Sequence, residues 1–146
     1  MDFDLDVKLA VYHHFAATGG RPSAAQIAGD LNGDTDAVRE SFGRLRNQRI
    51  LVLEADGESI RMAPPFSGVP TQHMVFADGN SYFANCAWDA LGIPAALQLP
   101  GTVRSRCERS LEPLTLEVGE DGPESSDWLF HCSVPAARWW DDIVFT

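Results

Sequence analysis

Cys86 and Asp89 lie three residues apart at the head of CAWDALGIPAALQL, a stretch that reads as a helix broken at Gly92 and Pro94. Residues three apart share a helix face, so this spacing sets a thiol beside a carboxyl. A thiol in the first helical turn meets unpaired backbone N–H groups and the positive dipole end, which can lower its pKa from about 8.5 into roughly the 3.5–7.5 range. The expected resting species is a thiolate, a nucleophile or soft-metal ligand, with a carboxyl at hand to move a proton. Taken bare, the pair fits a buried structural cysteine at least as well. Tyr82 and Phe83 approach it along the chain and are expected to line an apolar pocket, with Trp88 packed between the two reactive residues.

The chain has two further cysteines, Cys107 and Cys132. Three cysteines without the spacing of a small secreted domain point to free thiols or metal ligands rather than a disulfide framework. Cys132 falls in DWLFHCSV, where Trp128, Phe130 and Cys132 alternate as in a strand. That could aim Cys132 at the same pocket, or bury it in the core. His131 would face the other side of such a strand, which argues against joint metal binding with Cys132. His13 and His14 have no ligand cluster around them, and His73 reads as structural. Trp139 and Trp140 are expected to cover apolar surface.

The elements that must hold these residues begin with a helix over residues 5–17, whose stripe is Leu5, Leu9, Tyr12 and Ala16. Gly19 and Gly20 end it. Ser23 caps a second helix, SAAQIAGDL, closed by Asn32 and Gly33, and Asp34 or Thr35 caps a third, with Val38, Phe42 and Leu45 on one face. ILVLEADGESIRM then reads as a hairpin around Asp56-Gly57. Three helices and a hairpin make a winged-helix-like unit over residues 1–63. APPFSGVP, with three prolines, is expected to be a linker. Beyond it, a hairpin around Asp78-Gly79, the helix at Cys86, and strands LTLEV and DWLFHCSV imply a small mixed α/β domain over 64–146. The expected fold class is therefore α+β. The end DDIVFT is apolar and strand-like, as if a sheet strand were interrupted, so this domain is expected to be incomplete at its C-terminus.

With 146 residues, 45% of them hydrophobic, the chain can bury a sizeable core. Its 21 acidic against 11 basic side chains give a net charge of −10, which excludes a generally basic nucleic-acid coat. Residues 1–64 alone hold ten acidic and seven basic groups. Arg39, Arg44, Arg46, Asn47, Gln48 and Arg49 could still serve a recognition helix, but Glu54, Asp56 and Glu58 on the wing would repel phosphates. DNA is thus the less favoured partner. Three aspartates in the first twenty residues do not suit a secretion signal, and the charge-free stretch from Met62 to Ala77 carries three prolines, so a cytoplasmic chain with no membrane partner is expected. The oligomeric state is open.

Several features in order give the chain a resemblance to organomercurial lyases, the bacterial alkylmercury lyases that cleave carbon–mercury bonds. They are the winged-helix-like start, Pro70-Thr71, the Asp78-Gly79 hairpin, the aromatic approach Tyr82-Phe83, and Cys86-Ala87-Trp88-Asp89. Pro94-Ala95-Ala96-Leu97 and then Cys107 ahead of LTLEV complete the set. The resemblance is loose over residues 5–120 and close over 68–118. It implies that Cys86 binds mercury, that Asp89 shuttles the proton, and that Cys107 is mainly structural. It further implies an organomercurial substrate and no cofactor, since Hg(II) is bound only as substrate and product; the apolar residues Tyr82, Phe83 and Trp88 are the expected substrate pocket for an alkyl or aryl group. Thiolates suit so soft an ion. The family uses a second cysteine, which this spacing places at or just beyond Thr146, and Cys132 is the thiol that could stand in for it as a metal ligand. The readings left beside a lyase are an impaired, lyase-like binding protein, a winged-helix regulator sensing mercury or another soft metal, and a role without mercury.

Overall fold

The computed structural model describes residues 2–145. Helix α1, Phe3–Thr18, starts where the Asp2 carboxylate accepts the Asp4 N–H and ends at Gly19, left-handed at φ 76°. It buries Val7, Val11 and Phe15. The expected stripe is the wrong one: Leu5 and Leu9 are 48% and 46% exposed. Apolar residues lie on more than one side of α1, so periodicity alone does not select a face, and docking against the other helices does. Helix α2, Ala24–Leu31, has the reciprocal capping box of Ser23 and Gln26 and closes on left-handed Asn32. Helix α3, Thr35–Asn47, is capped by Asp34 and buries Val38, Phe42 and Leu45, as expected.

Strands β1, Val52–Leu53, and β2, Ile60–Ala63, form the hairpin. Its turn is held by Asp56, which accepts the N–H groups of Glu58 and Ser59. The proline-rich stretch does not behave as a linker. Its residues Phe66–Ser67 form β3, pair with β2 in a three-stranded sheet, and are buried. The prolines flank this short edge strand rather than interrupting it, and Phe66 supplies the apolar anchor that a free connector would lack.

A second, antiparallel sheet has the order β5-β4-β6-β7-β8. It comprises β4 (Met74–Ala77), β5 (Asn80–Phe83), β6 (Gly101–Arg106), β7 (Pro113–Gly119) and β8 (Gly122–Pro123). Asp78 and Gly79 both take positive φ, the two-residue turn that such a pair favours. Helix α4, Ala87–Leu97, joins β5 to β6 and packs against β4 and β6. It does not break at Gly92 or Pro94. A mid-helix proline costs about 3 kcal/mol, but Pro94 is buried close above Gly101, where an added Cβ would come within 3.1 Å of its ring.

LTLEV lies in β7 as expected, whereas DWLFHCSV forms no strand: residues 127–134 run irregularly, with Leu129 90% exposed. Alternation makes a strand only beside a partner, and β7 is paired on its outer side only at Val118 and Gly119, by β8, with no pairing to residues 127–134. The described part of DDIVFT is likewise not a strand. It closes a 3₁₀ helix, Ala136–Asp141, and ends in turns. The fold is mixed α+β, and among the described residues no helix is long and apolar enough to cross a membrane.

Candidate functional site

Cys86 is the N-cap of α4, in extended backbone, and its Sγ accepts the N–H of Asp89 at 3.5 Å. The chain just upstream is pinned on two sides. Thr71 donates its hydroxyl to the Ala84 carbonyl at 2.6 Å, and the Ala84 N–H donates to the His73 carbonyl at 2.8 Å. Asn85 then reaches both β3 and α4: its amide donates to the Phe66 carbonyl at 3.1 Å and to Asp89 Oδ2 at 3.0 Å. Asn85 Oδ1 is buried with no hydrogen-bond partner among the described residues. The expected neighbours, Cys86 and Asp89, thus share one turn at the start of α4, oriented from β3 by Asn85.

The expected thiolate is not what this turn favours. Burial pushes the Cys86 thiol above its ordinary value, outweighing the Asp89 and Trp88 N–H groups that pull it down, and the charges of Asp89 and Cys132 add to the rise. The dipole end is present, but the sulfur has lost too much water for it to prevail. Burial likewise raises the Asp89 carboxyl, which the Asn85 amide only partly offsets. Burial thus shifts both groups towards their neutral forms relative to open solvent, the thiol and the carboxyl alike.

Tyr12 belongs to the same neighbourhood. Burial and then the negative charge of Asp89 push its phenol up to about 12, and its hydroxyl donates to the Pro64 carbonyl at 2.9 Å. Asn85 and Tyr12 were not expected as site residues. Tyr12 could be read only as part of an apolar stripe, and Asn85 shows its role through β3, far away in sequence.

The aromatic residues divide. Tyr82 is 2% exposed, and its hydroxyl donates to the Ala16 carbonyl at 2.7 Å. It is a core residue that joins β5 to α1, not a pocket wall, because on β5 its side chain faces the helices. Phe83 is half-buried. Trp88 is 54% exposed rather than packed in the core, since one residue along from a buried helix face is its open side. It tilts against Phe130, ring centroids 5.6 Å apart, and lines a hollow of about 470 Å³ with Cys132, Pro135 and Trp139. Cys132 is therefore neither on a strand nor in the core. It is an exposed free thiol on the wall of that hollow. The family-like position of the second cysteine, at or past Thr146, lies outside the described residues.

Cys107 follows β6, where contacts from Ser110 hold its thiol below its ordinary value. His73 is buried, with Nδ1 2.7 Å from Ser105 Oγ and Nε2 3.4 Å from Glu108. A groove of about 590 Å³ opens at the Asp78-Gly79 turn, the other end of β5 from Cys86, and holds none of the candidate residues. Among the described residues, no cluster of three or more His, Cys, Asp or Glu could hold a metal ion.

The chain is thus a mixed α+β protein that carries a thiol and a carboxyl on one helix-capping turn. The chain belongs to the alkylmercury lyase family: the model of that family (MerB: Alkylmercury lyase) matches residues 66–146, more than half of the chain. Among solved structures, one described as the mercury-bound form of MerB2 is similar in fold, with a TM-score of 0.64 and 22% sequence identity. The similarity covers 84% of this chain and 60% of that one, so the chain spans about three fifths of the length of that protein. No curated protein matches the chain.

Proposed function

We propose that the chain is an organomercurial lyase that cleaves carbon–mercury bonds by protonolysis, with Cys86 as mercury-binding thiol and Asp89 as acid/base. The observation that carries this reading is the shared capping turn, in which a protonated thiol and a carboxyl of raised pKa stand together. When an organomercurial arrives, sulfur donates into mercury, the S–Hg bond forms, and the displaced anion leaves. Asp89 takes the thiol proton. It then delivers that proton to carbon: the C–Hg bond breaks, its electron pair stays with carbon, and a hydrocarbon departs. Hg(II) remains on Cys86, and Cys132, whose charge acts on the Cys86 thiol, is the thiol we assign as its second ligand, its proton passing to solvent. Burial moves the Asp89 carboxyl upward from its ordinary value, the direction that suits a group which must accept a proton and then give it up, because a general acid works best with a pKa near the working pH.

We read the three helices with the β1–β2 hairpin as a winged-helix-like unit that caps the site rather than a reader of DNA. Arg39 is engaged by Asp36 at 2.6 Å and Glu58 at 2.7 Å, and Arg44 by Asp4 at 2.8 Å, which leaves two of the candidate phosphate contacts already paired with acids.

The test is benzene release from phenylmercuric acetate by the full chain. Cys86→Ser is expected to abolish benzene release, although Cys107 and the exposed Cys132 still take up mercurial. Asp89→Ala should retain the mercurial but release benzene about 10²-fold or more slowly, the usual range for a lost acid/base. Release that survives both substitutions would overturn the assignment.

A further inference from the structure

Trp88, Phe130 and Trp139 wall a hollow of about 470 Å³ into which Cys132 opens, beside the helix start that carries Cys86. Its walls are set in place. Trp88 and Phe130 lie 5.6 Å apart with their planes tilted by 45°. The Trp139 indole N–H donates to the Val134 carbonyl at 2.8 Å and lies 3.3 Å from Cys132 Sγ. Yet Trp88 and Phe130 remain 54% and 45% exposed, so part of their aromatic surface still faces water. Small-molecule sites are mostly apolar, a few hundred Å³ in volume, with few placed polar groups.

Resting on the lyase reading, we propose that this hollow receives the organic group of the mercurial and favours a planar aryl group over a short alkyl group. Cys86 itself does not line this hollow; it lies two residues before Trp88 and within electrostatic reach of Cys132, so the organic group on its mercury must extend past the start of α4 to meet the indole. A flat ring covers aromatic surface that a methyl group would leave wet, and ring–ring contacts stabilise beyond the area they bury. Capture itself requires no other reagent: the Cys86 S–Hg bond forms, the anion on mercury leaves, and the thiol proton goes to Asp89, or to solvent where Asp89 is replaced.

The experiment uses the full chain carrying Asp89→Asn, which keeps the organic group on mercury, together with Cys107→Ser and Cys132→Ser, which leave Cys86 as the thiol that takes it up. It is equilibrated with equal amounts of phenylmercuric acetate and methylmercuric chloride in excess glutathione, and the two adducts are counted by mass spectrometry. The phenyl-to-methyl ratio on the protein is expected to exceed that on glutathione. It should fall about two- to tenfold with Trp88→Ala or Phe130→Ala, and Trp88→Phe should recover part of the loss. If Cys86→Ser removes both adducts while the ratio is indifferent to Trp88→Ala and Phe130→Ala, the aryl subsite is overturned and the lyase reading stands. If no adduct depends on Cys86, both fall.

Discussion

At Asp89 the carboxyl loses more to dehydration than the Asn85 amide returns, and that imbalance has a thermodynamic signature. A folded-state pKa above the unfolded value of 3.8 means that the unfolded chain gives up its proton first as pH rises. Stability is therefore full below 3.8 and is lost as pH climbs through the raised folded value. An asparagine can still accept from Asn85 but carries no charge to dehydrate. We expect Asp89→Asn to melt higher than the wild type at neutral pH, with the gap shrinking as pH falls towards 3.8. Thermal melts across that window check it, and a gap that does not change with pH would show the carboxylate to be well solvated. This is the trade-off of an acid/base site: the group that would do the chemistry weakens the fold. The Cys86–Asp89 pair was legible from its spacing alone. Its protonation state was not, because the dipole that acts on a helix-capping thiol is a local property, whereas burial is contributed by β3, α1 and the segment after residue 127.

At the scale of elements, caps and turns were readable because their causes sit within four residues: Ser23 with Gln26, Asp34 before α3, Asp78 with Gly79. What was not readable depended on distant neighbours. Either of two faces of α1 satisfies a helical period, and only packing chooses Val7, Val11 and Phe15. Pro94 persists inside α4 because the surrounding sheet receives it, and the alternation after Asp127 finds no strand to pair with. Gly19 joins the local and the distant. It is left-handed at the end of α1, and an added Cβ would run into the Ser81 carbonyl on β5. Gly19→Ala would meet both the left-handed penalty and that backbone overlap, and we expect it to cost about 2–4 kcal/mol. Urea unfolding measures it. A loss below about 1 kcal/mol, the scale of an ordinary glycine-to-alanine change, would mean that α1 and β5 are not held so close.

Across the whole molecule, the three-helix unit and the five-stranded sheet meet at Phe66. Its ring stacks on Phe15 at 5.4 Å and tilts against Tyr12 at 6.3 Å and Tyr82 at 5.8 Å. Its backbone pairs with Ala84, bridging the two sheets, and its carbonyl holds the Asn85 amide that orients Asp89. One residue of the proline-rich stretch thus joins helix α1, both sheets and the candidate site. A buried phenylalanine cut to alanine costs about 3–5 kcal/mol. If the units were independent, Phe66→Ala would lower one of two melting transitions and leave the other in place. With the core shared, the chain should melt in a single transition, and the variant should shift that transition as a whole. Because the backbone carbonyl survives the substitution, Asn85 keeps its acceptor, and below the new midpoint mercurial retention at Cys86 should fall far less than stability does. Calorimetry together with retention of phenylmercury separates the outcomes: two transitions in the wild type would show that Phe66 serves only its own side of the molecule.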